Sequence, residues 1–136
     1  MKIYFDENFS PHFIRGLSHI QRAQPNHGIE VKSIKEVFGG GTPDEEWIPK
    51  IAQQHGVVVT QDLKIRRLRH QWELCSKYKL GLFFIKPPKN GWSYWAIVKR
   101  IINFWQQIQS ISMRERKPFA YILSATKSKL EKLDNK

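Results

Sequence analysis

The chain opens with the segment Lys2-Ile3-Tyr4-Phe5-Asp6-Glu7-Asn8, an apolar run followed at once by two carboxylates. The apolar part is typical of a short buried strand, and a charge at the rim of a core needs a partner. The pattern recurs once, as Val57-Val58-Val59-Thr60-Gln61-Asp62, whose β-branched run indicates a strand buried on both faces. Two apolar strands that each end in aspartate predict one shared site, which we expect to bind a divalent metal.

Strand and helix patterns alternate five times along the chain. This alternation predicts an α/β domain with a single doubly wound, mainly parallel five-stranded sheet in the order 2-1-3-4-5 and helices on both faces. The length of 136 residues and the 40% apolar fraction predict one domain over 1–125, followed by a polar basic tail over 126–136. The predicted strands are Ile3–Phe5, Ile29–Ile34, Val57–Thr60, Leu80–Ile85 and Phe119–Leu123.

The predicted strand order brings the acidic residues together. Strands one and three are neighbours in it, the chain reverses direction between them, and ligands bind outside the carboxyl ends of strands at such a switch point. Asp6 ends strand one and Asp62 lies just beyond strand three, so their carboxylates should converge. Asp44-Glu45-Glu46 opens the helix before strand three, on the same side of the sheet. Clustered carboxylates raise one another's pKa, and one or two Mg²⁺ ions, which take oxygen ligands, would relieve that repulsion.

Structural interpretations of the same acids stay open. Thr42 and Glu45 form a capping-box pattern, and Asp44 and Glu45 also favour the dipole of the helix that they open. Asp62 can cap the basic helix that follows it. Asp6 is the hardest to explain in this way, because it follows three apolar residues in a strand that should be central.

The charge balance favours a polyanionic partner. The chain has 23 Lys and Arg residues against 12 Asp and Glu, a net charge of +11. RNA or DNA is the first candidate and an acidic protein the second, while a generally solvated basic surface is the alternative. Lys64, Arg66 and Arg67 crowd the helix after Asp62, where they can hold phosphates beside a metal. Taken singly, each is equally well explained as part of a solvated helix face.

Other features narrow the class of protein. No apolar run is long enough for a membrane span. Cys75 is the only cysteine, so no internal disulfide can form, and we expect a cytoplasmic protein. A phosphatase or nucleotide-binding domain is a weaker alternative, because the run Gly39-Gly40-Gly41 lacks the Lys-Ser/Thr of a P-loop. The aromatics of the last long helix, among them Tyr94, follow its helical period and are expected in the core rather than on a base-stacking surface.

Three segments together resemble the PIN-like domains, compact relatives of the PIN ribonucleases, many of which are toxins of bacterial toxin–antitoxin pairs. The resemblance covers roughly the first two thirds of the chain. It implies Mg²⁺- or Mn²⁺-dependent cleavage of RNA, with Asp6, Asp44 and Asp62 as catalytic metal ligands and Glu45 as the alternative in the middle segment. The segments are Tyr4-Phe5-Asp6-Glu7-Asn8, Pro43-Asp44-Glu45-Glu46-Trp47-Ile48-Pro49 and Val58-Val59-Thr60-Gln61-Asp62-Leu63-Lys64-Ile65-Arg66-Arg67.

The resemblance also implies partners. These are RNA and an antitoxin protein, and a homodimer is a further expectation beside the resemblance. Thr60 would hydrogen-bond an acidic ligand or a metal-bound water, and Lys64, Arg66 and Arg67 would bind the substrate. PIN nucleases usually carry a further acid shortly after the strand-three aspartate, and here Lys64 occupies the nearby position. This departure favours the alternative of a non-catalytic nucleic-acid-binding or protein-interaction module on the same fold.

Overall fold

The computed structural model describes residues 1–24, 28–61 and 65–133, and for residues 65–68 it describes the backbone alone. Strands and helices alternate along it as the sequence predicts. The strands are β1 Lys2–Phe5, β2 Glu30–Ser33, β3 Val57–Gln61, β4 Gly81–Lys86, β5 Phe119–Ser124 and β6 Glu131–Lys132. The helices are α1 Pro11–Gln21, α2 Ile34–Phe38, α3 Asp44–Gln53, α4 Ile65–Lys77 and α5 Tyr94–Arg114.

The strands form one sheet in the order β2-β1-β3-β4-β5-β6. The first five pair in parallel and β6 pairs antiparallel with β5. The predicted α/β class, the mainly parallel sheet and the order 2-1-3-4-5 are confirmed for these five strands.

A sixth strand is the difference from the predicted sheet. It lies in the segment predicted to be a polar basic tail, where charged residues hide its pattern. Leu130 packs against one of the two core clusters and Leu133 against the other, and the Leu133 N–H donates to the Ala120 carbonyl over 2.8 Å. Two leucines on either side of Glu131–Lys132 therefore hold this short strand at the edge of the sheet.

Helices cover both faces of the sheet, as predicted. On one face, α1 and α5 pack against Ile3 and Phe5 of β1, and on the other α3 and α4 pack against Tyr4 of the same strand. This follows from the alternation of side chains along a strand. All three residues are at most 1% exposed, so β1 lies at the centre of the molecule. No described helix has the length and apolarity needed to cross a membrane.

Two local predictions are wrong. The Thr42 hydroxyl donates to the carbonyls of Phe38 and Gly39, each over 2.8 Å, so it serves the end of α2 and does not cap α3. The residue before α3 is Pro43, which makes no side-chain cap bond. Tyr94, predicted in the core, is 46% exposed, because it stands at the first position of α5, whose buried residues begin only at Val98.

Candidate active site

Asp6 lies where β1 and β3 end side by side. The two strands are parallel, with Phe5 opposite Val59, and the Asp6 N–H extends their pairing by donating to the Val59 carbonyl over 3.0 Å. The Asp6 side chain is 6% exposed. The doubly wound order therefore brings a buried carboxylate to the switch point of the sheet, where such folds bind ligands.

Four donors hold the Asp6 carboxylate. Oδ2 accepts hydrogen bonds from the Thr60 hydroxyl and, over 3.1 Å, from the Gln61 N–H. The Asn8 amide Nδ2 is 3.5 Å from the same oxygen. Oδ1 accepts from the Asn8 backbone N–H over 3.1 Å. Thr60 is fully buried, and its hydroxyl contacts Asp6, which is one of the predicted metal ligands.

Burial makes this carboxylate costly to ionise. It raises the pKa of Asp6 to about 6, and the hydrogen bonds from Thr60, Gln61 and Asn8 lower the pKa without offsetting the burial. Because buried charges are compensated by partners or metals, an ionised Asp6 favours a cation beside it.

The oxygens of Asp6 are suited to a hard metal ion. Within the described part of the chain, Oδ2 accepts from three donors and Oδ1 from only one, although a carboxylate has about four lone-pair sites in all. Oδ1 therefore keeps coordination capacity, and oxygen ligands are those that Mg²⁺ prefers. Among the described residues no three His, Cys, Asp or Glu side chains are grouped to hold a metal. The predicted set also includes Asp62, which lies outside those residues.

The acidic start of α3 lies against α4. Asp44 is 2% exposed, and its charge adds to burial in raising the pKa of the Cys75 thiol on α4. Glu45 is exposed, and its Oε1 is 2.7 Å from Nε2 of His70, also on α4. Trp47, one turn after Asp44, lines a cavity of about 30 Å³ together with Asp6. Trp47 thus brings α3 to the border of the Asp6 site, while Glu45 already has a partner.

The other predicted site residues are not described. Asp62 and Lys64 lie outside the described residues, and so do the side chains of Arg66 and Arg67 on α4. Their roles in metal binding and substrate binding stay predictions.

Asp6 is surrounded by a network of amide groups, which the sequence pattern did not predict. The Asn8 Nδ2 donates to the Gln61 carbonyl over 2.6 Å, and the Gln61 Nε2 donates back to the Asn8 carbonyl over 3.0 Å. The Gln61 Oε1 accepts from the Trp92 indole N–H over 2.8 Å. The available signal was an amide side chain close to each of the two strand-ending aspartates. These bonds fix the end of β1 against the end of β3 and against the loop before α5.

Comparison with known proteins identifies the family. No curated protein and no solved structure matches the chain. A family model described as a PIN-like domain matches residues 1–87. The matched range includes β1 to β4, Asp6 and the four donors around it, while α5, β5 and β6 lie beyond it. The chain therefore belongs to the PIN-like domain family.

Proposed function

We propose that this protein is a metal-dependent ribonuclease that cleaves RNA phosphodiester bonds with Mg²⁺ or Mn²⁺. We further propose that it is the toxin of a toxin–antitoxin pair. The nuclease-type fold of the family supports the first proposal, and one observation carries it: the buried Asp6 carboxylate at the β1–β3 switch point, whose pKa burial raises to about 6.

The chain's own residues would prepare the site. Asp6 would offer Oδ1 as a ligand, while the Thr60 hydroxyl and the backbone N–H groups of Gln61 and Asn8 hold its orientation. Asp44 and Asp62 would complete the ligand set. When bound, the ion supplies activation of a water molecule and stabilisation of charge that develops on the phosphate.

Glu45 is the weaker choice for the middle ligand. Its Oε1 is 2.7 Å from His70 Nε2, and its side chain is exposed, whereas Asp44 is buried at the same helix start. A ligand held in place by its surroundings loses less conformational freedom on binding a metal. Asp44 is therefore the better candidate for the middle metal ligand.

RNA is the substrate that the charge favours. A net charge of +11 attracts a polyanion, and Lys64, Arg66 and Arg67 would hold its phosphates beside the metal. An antitoxin would counter this charge with an acidic surface.

A non-catalytic nucleic-acid-binding module is the second candidate. Lys64 favours it, because PIN nucleases usually carry an acid near that position. This candidate predicts RNA binding that weakens with salt but no metal-dependent turnover.

An RNA cleavage assay separates the two candidates. The full chain is incubated with RNA and Mn²⁺, with and without a chelator, and Asp6→Asn and Asp62→Asn are compared with Glu46→Gln. Glu46 is an exposed acid of the same α3 start and serves as the matched control. We expect cleavage by wild type and Glu46→Gln only, and its loss with chelator. Cleavage that persists unchanged in Asp6→Asn contradicts the proposal, and salt-sensitive binding without cleavage favours the second candidate.

A further inference from the structure

A second cavity lies beside Asn8 and Gln61, the two residues whose backbone N–H groups bond to Asp6. It has a volume of about 260 Å³ and is bordered by the starts of α1 and α5. Its floor is apolar and is formed by Phe9, Phe13 and Val98, which are only 3%, 7% and 7% exposed. An apolar floor in a concave site binds an apolar ligand surface.

Two aromatic rings stand at the rim of this cavity. Trp92 is partly buried, and its orientation is fixed by the 2.8 Å bond from its indole N–H to the Gln61 Oε1. Tyr94 is 46% exposed, and its ring packs edge-to-face on Trp95 with centroids 5.4 Å apart. These rings lie beyond residues 1–87, so the family match does not account for them. Exposed aromatic rings at a polyanion-binding surface provide stacking platforms for bases.

One end of the cavity is polar and shared with the Asp6 site. Asn8 and Gln61 line the cavity, and both also donate to the Asp6 carboxylate. Ser10 lines it as well, and its hydroxyl caps none of the described N–H groups of α1. A ligand in the cavity would therefore have the Ser10 hydroxyl at its edge and would lie next to the Asn8 and Gln61 groups that hold Asp6.

These features match a nucleobase. A base is flat and aromatic, with a polar edge, and so fits an apolar floor with aromatic rings at the rim and a polar end. The volume of about 260 Å³ is large enough for one base, and the charge of +11 favours a base that belongs to a polynucleotide.

We propose that this cavity binds one nucleobase of single-stranded RNA, next to the phosphate held at Asp6. The inference rests on the proposed ribonuclease function, because it assumes that the phosphate at Asp6 belongs to RNA. It adds a base-binding subsite formed by Tyr94, Trp92 and the apolar floor.

The test compares two oligoribonucleotides of equal charge, one with bases and one without. Fluorescence anisotropy measures binding of a labelled single-stranded RNA that contains all four bases, and of an abasic oligoribonucleotide of the same length. EDTA is present so that no metal-dependent cleavage occurs. We expect wild type to bind the base-containing RNA about tenfold more tightly, the size of effect that one stacked base gives.

The variants assign that preference to the cavity. Tyr94→Ala should abolish it. Tyr78→Ala should keep it, because Tyr78 is a comparably exposed tyrosine, at 37%, that does not line the cavity. Ile97→Phe fills the cavity from a half-buried position and should abolish the preference too, which keeps the test decisive if Tyr94→Ala is poorly folded.

Several outcomes overturn the subsite. They are equal binding of the two oligomers by wild type, no binding of either, and a preference that survives both cavity variants. A protein ligand in the cavity would give the first or second result. Failure of the ribonuclease proposal is separate: wild type would then show the base preference in EDTA but no cleavage with Mn²⁺.

Discussion

At the scale of single residues, Asp6 combines burial with hydrogen bonds that leave one oxygen available. The sequence predicts a functional role for this residue, because a charge directly after three apolar strand residues lies at the rim of the core and needs a partner. It does not predict the roles of Asn8 and Gln61, since an amide after a strand is also a good helix cap or loop residue. Only the pairing of β1 with β3 shows that each amide bonds the other strand's end.

The raised pKa of Asp6 predicts how stability depends on pH without metal. The pKa is about 6 in the folded protein and 3.8 as the ordinary value, so the folded state binds the proton more tightly. The stabilisation of the folded state by the proton on Asp6 is present below about pH 4. It is lost as pH rises through 6, and the free energy of unfolding then falls by about 3 kcal/mol. Asp6→Asn cannot ionise and so avoids this loss of about 3 kcal/mol, but it gives up one hydrogen bond, which costs part of the gain. In EDTA at pH 8 the variant should therefore increase the free energy of unfolding by about 1–2 kcal/mol.

Urea unfolding at pH 8 and pH 4 checks this prediction. The advantage of Asp6→Asn over wild type should disappear at pH 4. An equal advantage at both pH values would show that the ionisation of Asp6 is not the cause. Added Mn²⁺ should stabilise wild type and leave Asp6→Asn unchanged, because only the carboxylate gains a cation partner.

Thr60 should contribute through its hydroxyl. Thr60→Val keeps the shape but removes the donor to the buried Asp6 carboxylate, and we expect a loss of about 1.5–3 kcal/mol at pH 8. Thr60→Ser keeps the hydroxyl and is the matched control, with a smaller loss from the missing methyl group. Chemical denaturation measures both, and equal losses would mean that packing rather than the hydrogen bond dominates.

Among the helices and strands, the sequence predicts the long ones and misses the short ones. β3 and β4 contain the continuous apolar runs 57–59 and 82–85 and are predicted from that pattern alone. α2 has five residues and β6 has two, too few for a period to be recognised. Both depend on contacts from elsewhere: Ile34 and Leu133 pack in the cluster around α3, and Leu130 packs in the cluster around α5. Tertiary packing, which local patterns do not show, therefore determines these elements.

The pairing of β4 with β5 gives a prediction at this scale. A Cβ on Gly81 would overlap the ring of Phe119, its partner on β5. Gly81→Ala should therefore destabilise the protein by about 1–3 kcal/mol. Gly16→Ala is the control: it lies on an exposed part of α1 with no atom near its added methyl, and it should stabilise by about 0.5–1 kcal/mol. Thermal unfolding compares them, and changes of the same sign would contradict this account of the β4–β5 contact.

At the scale of the whole molecule, topology and charge act together. The order 2-1-3-4-5 places the end of β1 beside the end of β3, and the net charge of +11 attracts a polyanion to the molecule. The alternation of strands and helices, together with the common doubly wound order, makes this topology predictable from the sequence. They predict which strand ends form the site. They do not predict the distances between its side-chain atoms, which depend on side-chain packing.

The charge predicts that RNA binding weakens with salt. Each phosphate contact contributes a slope of about −0.7 to a plot of log K against log salt for a single strand. The double variant Arg66→Ala, Arg67→Ala should therefore reduce the slope by about 1.4. Arg15→Ala, an exposed arginine that pairs with Glu36 over 2.9 Å, should leave the slope unchanged. Titrations in EDTA at several salt concentrations measure this, and equal slopes for all three proteins would exclude the predicted phosphate contacts.

We propose that Asp6 is the carboxylate on which the metal site is built. Anomalous diffraction from crystals soaked in Mn²⁺ tests this claim, with crystals of Asp6→Asn as the control. We predict an anomalous peak within about 2–2.5 Å of Asp6 Oδ1, shared with Asp44 or Asp62, and its absence in the variant. A Mn²⁺ peak that does not contact Asp6, or one that remains in Asp6→Asn, would contradict the claim.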